Sequence, residues 1–375
     1  MRATRQAGTG IRMRLLQCDL ASSYPLGRAG GHRTVHSLLL HLSRDPSVEC
    51  MTLFPRRGLG SVLPEYDPKL ADFEALGIKG FHVAPGRWTF DCGYLAWAVD
   101  RVEDVLDQCM EAFRPDVIWS NSLLSLPILQ DARGRGLPAL WYVHDCRCKP
   151  DDLREAAKSG VHIVACSNFI RDRLCQVSGI ECDVVHPLIT EGDYQVERAS
   201  PRFVTLINPR PVKGYEIFLR LAPLLPDVPF LVVEAWPLGS ERDKVATQLA
   251  EMGNVEFVRQ RPDMLEIYAK TRILLVPSVV EEGAPRVIRE AQLNRIPVLG
   301  SPRGGVPEMV GHGGIIIDNY QDPRSWAAAI RMLLDDSNAY RSLSDLAFEN
   351  AHRNDLMTRT IVDRFKAALR RTMEQ

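Results

Sequence analysis

Apolar and polar positions follow a repeating order along the chain, in which short apolar runs alternate with longer segments whose apolar residues recur every three or four positions. The short runs have the length of buried strands and the longer segments have the period of amphipathic helices. In the first half this pattern predicts strands at Met13–Cys18, Val48–Phe54, Lys79–Val83, Val117–Ser120, Ala139–His144 and His162–Ser167. The predicted helices between them are His32–Arg44, Leu95–Phe113 and Ser167–Gln176.

The same alternation starts again after Arg202. It predicts strands at Phe203–Ile207, Phe230–Glu234, Val255–Phe257, Ile273–Pro277, Val298–Gly300 and Gly314–Ile317. It predicts helices at Gly214–Leu225, Glu241–Met252, Asp263–Lys270, Pro285–Asn294 and Arg324–Leu334, with a charged helical pattern from Asn338 to Gln375. Strands that alternate with helices in this way are typical of parallel sheets covered by helices.

Residues 187–202 separate the two halves, because they are polar, lack an apolar period and are bounded by Pro187 and Pro201. We interpret them as a linker between two domains, at 1–190 and 200–355. The predicted fold class is α/β, with two doubly wound, Rossmann-like domains that face each other across a cleft. Ligands of open α/β sheets bind at the carboxyl ends of the strands, which places the expected site in that cleft.

Composition narrows the function. The chain has 375 residues with 46 basic and 47 acidic side chains, and through His186 the two kinds number 22 each. This balance argues against a nucleic-acid partner.

No apolar run approaches the roughly 18 residues of a spanning helix. The first 14 residues lack the apolar core of a secretory signal, and nine unpatterned cysteines suit a reducing compartment, so we expect a cytoplasmic protein without integral membrane association. Arginine (38) far exceeds lysine (8), which suggests a high-GC bacterial source.

Two candidate sites lie in the first half. Gly30 and Gly31 end a turn after the first strand and open a helix, where backbone N–H groups and the helix dipole favour an anion. The turn matches neither the dinucleotide nor the P-loop fingerprint, so a plain tight turn is an equal alternative. His144 ends a buried strand, where it could donate a hydrogen bond to a substrate or serve as a structural histidine. The neighbouring cysteines lack the second ligand pair of a zinc site.

Two further candidates follow strands of the second half. Arg210 and Lys213 precede a helix in a loop stiffened by prolines, and two cations at a helix start suit a diphosphate. A solvated basic turn is the alternative. Glu282 and Glu290 flank the start of the next helix candidate, at which Ala284, Arg286 and Val287 offer backbone N–H groups to phosphate oxygens. A solvated acidic loop would account for Glu282 but not for the whole arrangement.

These motifs resemble, in order along most of the chain, the signature of the retaining glycosyltransferases of family 4, which have the GT-B fold. The similarity rests on Gly30–Gly31, His144, Lys213–Gly214, the pair Glu282-x7-Glu290 and the segment Gly304-Gly-Val-Pro-Glu308. It implies that the second domain holds a nucleoside-diphosphate sugar and that the first holds the acceptor. It also implies that the last helix, at about 356–375, crosses back onto the first domain.

The resemblance also implies a role for each matching residue. Glu282 would hold hydroxyls of the donor sugar and Glu290 would hold the ribose. Arg210 and Lys213 would neutralise the diphosphate, while Gly30 and Gly31 would close over its distal phosphate. His144 would lie near the reacting face of the sugar, so that His144 and Glu282 are the catalytic candidates.

Two positions depart from the family pattern. An arginine usually stands five residues before the lysine, where this chain has Asn208, so either Arg210 replaces it or Asn208 makes a weaker contact. The usual Phe-Gly pair after the first glutamate and glycine is Ala284–Pro285 here.

The predicted function is therefore retaining transfer of a sugar from a UDP- or GDP-sugar to a hydroxyl of a small soluble acceptor. No cofactor or metal is expected, because cations and helix N-termini can stabilise the diphosphate. The even charge of the first half favours a soluble acceptor over a membrane lipid. The alternatives are a nucleotide-sugar epimerase and a non-catalytic nucleotide-sugar-binding subunit on the same fold.

Overall fold

The computed structural model describes residues 12–21, 23–24, 29–56, 78–259 and 264–375. Residues 25–28 of the predicted turn before Gly30 lie outside this part of the chain. Two compact units are present. The first takes the chain up to Val143 together with Lys149–Val164 and Arg364–Gln375, and the second takes His144–Cys148 and Ala165–Asp363.

The first unit contains eight described strands and four described helices before its C-terminal segment. The strands are β1 (Met13–Cys18), β2 (Val48–Pro55), β3 (Lys79–Ala84), β4 (Arg87–Asp91), β5 (Leu95–Val99), β6 (Val117–Ser120), β7 (Ala139–Val143) and β8 (His162–Ala165). The helices are α1 (Gly30–Ser43), α2 (Leu106–Phe113), α3 (Leu126–Gly134) and α4 (Pro150–Lys158).

The strands of the first unit lie in the order β3-β4-β5-β2-β1-β6-β7-β8. Strand β1 is central and pairs in parallel with β2 on one side and with β6 on the other. The chain thus reverses its direction of winding at β1, which is the doubly wound arrangement. Strands β3 and β4 extend one edge as an antiparallel hairpin, because β4 pairs antiparallel with both β3 and β5.

The prediction of a helix over 95–113 is wrong for residues 95–105. Residues Leu95–Val99 form strand β5, which pairs in parallel with β2, and the helix α2 is confined to Leu106–Phe113. The sequence Leu-Ala-Trp-Ala-Val is apolar throughout, so its periodicity does not separate a buried strand from a helix. The segment becomes a strand because it pairs with β2, which is distant in sequence, and with β4, from which only a short turn separates it.

The second unit contains β9 (Asp183–Val184), β10 (Phe203–Ile207), β11 (Phe230–Val233), β12 (Val255–Val258), β13 (Thr271–Val276), β14 (Val298–Gly300) and β15 (Gly314–Ile316). Its helices are α5 (Asn168–Ser178), α6 (Tyr215–Leu221), α7 (Arg242–Ala250), α8 (Leu265–Lys270), α9 (Arg286–Gln292), α10 (Val306–Val310), α11 (Pro323–Asp335) and α12 (Ser337–Ala351). A last helix, α13 (Thr358–Glu374), begins in the second unit and ends in the first.

Six strands of the second unit form a sheet in the order β12-β11-β10-β13-β14-β15, and each neighbouring pair is parallel. Strand β10 pairs with β11 on one side and β13 on the other, so this sheet is also doubly wound. The prediction of two doubly wound, Rossmann-like α/β units is confirmed. The switch point between β10 and β13 is the position at which such sheets bind ligands.

Both faces of this sheet are covered by apolar clusters. Within β10, Val204 and Leu206 belong to one cluster and Phe203 and Ile207 to the other. Successive residues of a strand point to opposite faces, so the continuous apolar runs that predicted these strands are explained by burial on both sides. The sheet is thereby fixed, and the loops at the carboxyl ends of β10 and β13 are held on a rigid support.

The C-terminal segment Arg364–Gln375 belongs to the first unit. Its Phe365 is buried and contacts the ring of Trp119 edge-on, with ring centroids 4.9 Å apart, and that of Tyr142 at 5.8 Å.

The limits of the two units differ from the proposed domain limits of 1–190 and 200–355, because residues 144–148 and 165–190 group with the second unit. None of the helices in the described part of the chain is both long and apolar enough to cross a bilayer.

Gly214 permits the close approach of the loops that follow β10 and β13. Its φ is +81°, and a Cβ atom there would lie 2.0 Å from the carbonyl oxygen of Pro277. A backbone atom cannot move aside as a flexible side chain can. Only glycine therefore allows the start of α6 to lie against the end of β13.

We expect Gly214→Ala to lower the free energy of unfolding by about 3 kcal/mol or more, since it adds a backbone collision to the left-handed strain. The matched control is Gly179→Ala, at the C-terminal end of α5. Gly179 also has a positive φ, of +73°, but nothing lies within 4 Å of its added Cβ. That variant should lose only about 1–2 kcal/mol. Urea denaturation followed by circular dichroism measures both, and equal losses would contradict the proposed collision.

Candidate active site

Lys213 and Glu282 meet at the switch point of the second sheet, in the loops that follow β10 and β13. The Lys213 Nζ atom lies 2.5 Å from Glu282 Oε1, and the Ser278 hydroxyl donates to the same oxygen at 2.6 Å. The ammonium also lies over the indole of Trp236, 4.8 Å from the ring centroid. The side chains of the ion pair are 17% and 14% exposed, so both are shielded from solvent yet reachable.

Backbone contacts tie these two loops together. The Val279 N–H donates to the Val212 carbonyl at 3.1 Å. Because Lys213 follows Val212 directly, this bond fixes the spacing between the lysine and the loop that carries Glu282. The ion pair therefore joins two segments whose backbones are already in register.

The backbone of Glu282 and Gly283 packs closely against neighbouring backbone at positions where only glycine fits. A Cβ atom at Gly283 would lie 2.4 Å from the carbonyl oxygen of His144, and one at Gly305 would lie 2.1 Å from the carbonyl oxygen of Gly283. Gly304 pairs with Glu282 as an isolated parallel bridge. The Ser167 hydroxyl donates to the Gly283 carbonyl at 2.7 Å. The segment 282–283 is thus enclosed by the chain on both sides.

Glu308 stabilises the start of helix α5, which lies beside this segment. Its Oε1 accepts from the Asn168 N–H at 3.0 Å and from His186 Nε2 at 2.9 Å, while Oε2 accepts from the Phe169 N–H at 2.9 Å. Burial raises the pKa of Glu308, but these hydrogen bonds outweigh it and lower the pKa from 4.5 to about 2. The positive end of α5 is thus neutralised by a carboxylate of the protein itself.

Glu290 lies one turn into the following helix, α9, and both of its oxygens have partners. Tyr268 donates its hydroxyl to Oε2 at 2.7 Å, and Arg286 Nε lies 3.3 Å from Oε1. All three side chains are buried. The sequence predicts Pro285 as the first residue of this helix, but the helix begins at Arg286 and Pro285 precedes it as the cap residue.

Asn208 and Arg210 make different contacts in the loop after β10. Asn208 has a φ of +66°, and its Oδ1 accepts from the N–H groups of Ala235 at 3.1 Å and Trp236 at 2.6 Å. Arg210 donates from its Nη2 to the carbonyl oxygen of Pro237. Asn208 therefore joins the ends of β10 and β11. Arg210 lies along the same edge of the sheet, and the partner described for its guanidinium group is a carbonyl oxygen.

The other predicted residues divide between the two units. His144 belongs to the second unit, where its carbonyl oxygen lies against Gly283. Ala284 and Val287 are half-buried and contact one apolar cluster of the second sheet. Gly30 and Gly31 open α1 in the first unit, and a Cβ atom at Gly31 would lie 3.3 Å from Asn121 Nδ2.

The structure thus brings together Lys213, Glu282 and the backbone of His144, and it places Glu290 one helical turn further on. The roles assigned to these residues, and to Gly30 and Gly31, stay predictions. Among the described residues, no group of three histidine, cysteine, aspartate or glutamate side chains has the arrangement that would hold a metal ion.

Sequence reasoning missed several residues of the site: Ser278, Trp236, Ser167 and Tyr268. Ser278 could have been found, because it follows β13 directly in the segment that carries Glu282. Trp236 and Tyr268 gave no local signal, since an aromatic residue near a strand end or in a helix is usually part of a core. Their contacts with Lys213 and Glu290 arise only from the fold.

We expect Glu308→Gln to lower the free energy of unfolding at pH 7 by about 3 kcal/mol, the value that corresponds to a pKa lowered from 4.5 to about 2. Because the native pKa lies below the unfolded one, this stabilisation is complete above pH 4.5 and is lost as the pH falls towards 2. When the pH is lowered from 4.5 to 2, the free energy of unfolding should therefore fall less in the variant than in the parent. Urea denaturation across that range measures both curves.

The matched control is Glu251→Gln, because Glu251 is exposed at the C-terminal end of α7. It should leave the free energy of unfolding and its pH dependence almost unchanged. An equal effect of the two substitutions would show that Glu308 has no special part in stability.

Comparison with known proteins finds a similarity to a glycosyltransferase family in one part of the chain. Residues 201–336 match the family model described as glycosyl transferases group 1. Among curated relatives, the D-inositol 3-phosphate glycosyltransferase of Corynebacterium urealyticum is 33% identical over 157 residues, covering 38% of this chain and 37% of the relative. The protein of the same name from Mycolicibacterium vanbaalenii is 30% identical over 192 residues, or 43% and 42% of the two chains. The chain thus spans about two fifths of the length of these relatives.

Solved structures match over nearly the whole chain. HepE of Anabaena, determined in complex with UDP-glucose, has a TM-score of 0.73 at 18% identity and covers 96% of this chain and 100% of its own. Sucrose-phosphate synthase of Thermosynechococcus elongatus has a TM-score of 0.76 at 16% identity, covering 97% and 100%. At these identities the likeness establishes the fold. The chain therefore shares the GT-B fold of these solved structures, and its residues 201–336 are similar to the glycosyl transferases group 1 family.

Proposed function

We propose that this protein is a retaining glycosyltransferase that moves a sugar from a nucleoside-diphosphate sugar to a hydroxyl group of a small soluble acceptor. The observation that carries the proposal is the pairing of Lys213 with Glu282 at the switch point between β10 and β13. It lies within the domain that matches the glycosyl transferases group 1 family. A cation and a carboxylate at this point are suited to a ligand that has both phosphates and hydroxyl groups.

The two side chains suit different parts of such a donor. An ammonium group has three N–H donors, so Lys213 can keep its bond to Glu282 while the others bind phosphate oxygens. Glu282 has two oxygens, and Ser278 and Lys213 both contact Oε1. The remaining lone pairs can accept hydrogen bonds from sugar hydroxyls. The pair would thus hold the sugar and the diphosphate on either side of the bond that breaks.

Charge stabilisation is the proposed source of catalysis. When the bond between sugar and diphosphate breaks, negative charge grows on the leaving phosphate. Lys213 lies ready to stabilise that charge, and its position is fixed by Glu282 and by the ring of Trp236 before the reaction starts. A charge that is already oriented in a shielded site stabilises a transition state more than water does. Arg210, at the same edge of the sheet, supplies a second positive charge.

His144 is the proposed neighbour of the reacting sugar. Its backbone lies against Gly283, the residue that follows Glu282. Within the second unit, His144 therefore lies beside the loop that carries the predicted sugar-binding carboxylate. Gly30 and Gly31, at the start of α1, keep their proposed part in binding the distal phosphate.

The comparisons suggest which donors and acceptors to try first. Because HepE was determined with UDP-glucose, UDP-sugars come before GDP-sugars in the donor panel. The name of the sequence relatives makes D-inositol 3-phosphate the first acceptor to test. Polyols and sugar phosphates complete the acceptor panel.

We expect Lys213→Ala to lower kcat/KM for sugar transfer by about 100- to 1,000-fold, in line with the loss of one preorganised electrostatic contact. Lys244→Ala is the matched control, because Lys244 is exposed on α7 and should leave the rate unchanged. Release of UDP or GDP and formation of the glycoside are measured together. Full transfer activity in Lys213→Ala would overturn the proposed site, whereas an isomerised sugar formed without any acceptor would favour an epimerase.

We also expect transfer to continue in EDTA at close to the rate found with added Mg²⁺. The physical reason is that Lys213 and Arg210 can supply the positive charge that a divalent ion supplies in other transferases. Initial rates with a saturating donor, measured after dialysis against EDTA and again with Mg²⁺ or Mn²⁺ restored, test this. A loss of activity in EDTA that either ion reverses would contradict the metal-independent mechanism.

A further inference from the structure

The carboxylate of Glu290 is held by two side chains to which no part in ligand binding has been given. One is the hydroxyl group of Tyr268, on α8, and the other is the guanidinium group of Arg286, one helical turn before Glu290 on α9. The exposed fractions of the Arg286 and Glu290 side chains are only 5% and 6%. A charged pair at this depth needs well-placed partners, since desolvation works against both charges.

Tyr268 fixes one oxygen of Glu290. Its hydroxyl lies 2.7 Å from Oε2, and Tyr268 is only 1% exposed. Burial, reinforced by the charge of Glu290, raises the pKa of Tyr268 well above 10. The hydroxyl therefore keeps its proton at any working pH and remains the donor. Oε2 then has one lone pair occupied and one available.

Arg286 fixes the other oxygen and is itself anchored. Its Nε lies 3.3 Å from Glu290 Oε1, while Nη1 donates to the Leu188 carbonyl at 2.5 Å and Nη2 to the Tyr194 hydroxyl at 3.2 Å. Burial lowers the pKa of Arg286, but the Tyr194 and Glu290 groups outweigh it and raise the pKa above its ordinary value. The arginine therefore stays charged and pairs with the Glu290 carboxylate.

We infer that Tyr268 and Arg286 are positioning residues that orient the carboxylate of Glu290 to accept both hydroxyls of a nucleotide ribose. This inference rests on the proposed function. A carboxylate has about four acceptor positions; the Tyr268 hydroxyl occupies one on Oε2, while Arg286 Nε holds Oε1 as an ion pair at 3.3 Å. At least one position on each oxygen therefore remains, which matches the two adjacent hydroxyls of a ribose. A carboxylate without these partners would have to give up rotational freedom when it binds, and that cost weakens binding.

A purely structural role makes a different prediction. Arg286 also joins α9 to residues 188–194, so its contacts could serve only to attach that segment to the domain. In that case removal of the Tyr268 hydroxyl would lower stability, and any effect on nucleotide binding would be the same for ligands with and without the ribose hydroxyl. A comparison of two ligands that differ in one hydroxyl separates the two roles.

The experiment compares UDP with 2′-deoxyuridine diphosphate by isothermal titration calorimetry, in the parent and in Tyr268→Phe. If the parent prefers guanine, GDP and its 2′-deoxy form are used instead. The parent should bind the ribose form more tightly. In Tyr268→Phe we expect Kd for UDP to rise about tenfold, the scale of one hydrogen bond to a charged group, while Kd for the deoxy form changes little. The phenylalanine keeps the ring and its packing.

Three further variants and one control variant sharpen the result. Glu290→Gln should lose the same preference for ribose, and Tyr268→Phe combined with Glu290→Gln should lose no more than Glu290→Gln alone, because the tyrosine acts through the glutamate. Arg286→Lys keeps the charge but not the fork of donors, so it should also reduce the preference. Tyr340→Phe is the matched control. It removes one hydrogen bond, from the tyrosine hydroxyl to the Arg272 carbonyl, within the same unit.

The outcomes separate the inference from the proposed function. If the parent binds no nucleoside diphosphate, the proposed function fails and this inference fails with it. If the parent binds UDP or GDP but Tyr268→Phe weakens the ribose and deoxyribose forms equally, or weakens neither, the positioning role is overturned and the proposed function stands. A loss in Tyr340→Phe as large as that in Tyr268→Phe would also overturn it.

Discussion

The site depends on backbone approaches that only glycine allows. The carbonyl oxygen of Pro277 lies where a Cβ of Gly214 would be, and the carbonyl oxygens of His144 and Gly283 lie in the same way against Gly283 and Gly305. These contacts bring the segments after β10, β13 and β14 to one place. Because backbone atoms are in contact, the positions of Lys213 and Glu282 follow from the main chain, and their side chains need only short extensions to meet. A rigid main chain of this kind supports a preorganised site.

Within this frame, buried and half-buried carboxylates of the second unit are neutralised by different partners. Glu282 has Lys213, Glu290 has Arg286 and Tyr268, and Glu308 has His186 and two N–H groups of α5. The exposure of these groups differs in a way that suits different tasks. The Lys213–Glu282 pair retains 17% and 14% exposure and is open to exchange, whereas Arg286 and Glu290 are almost fully enclosed. An enclosed pair cannot rearrange cheaply, which suits a fixed acceptor of hydrogen bonds.

The repeating pattern of the sequence is sufficient to predict the two α/β units. A parallel strand that is buried on both faces is a continuous apolar run, and the helices between such strands keep their own period. It failed at Leu95–Val99, where an apolar run of five residues is compatible with either structure and the pairing with β2 decides. The same reasoning placed Lys213, Glu282 and Glu290 near strand ends, since charged residues there are readily seen in a sequence. It could not find Trp236 or Tyr268, because aromatic residues resemble core residues until the fold places them beside a charge.

Asn208 links the loop after β10 to the loop after β11 through a backbone constraint. This residue has a φ of +66°, a conformation that asparagine tolerates better than arginine does, and its side chain accepts the N–H groups of Ala235 and Trp236. An arginine has no acceptor atom, so it could not hold the start of the loop after β11 in this way. That loop carries Trp236, whose ring lies beside the ammonium of Lys213. The asparagine therefore contributes to the position of Lys213 through Trp236, and the second positive charge of the loop stands two residues later, at Arg210.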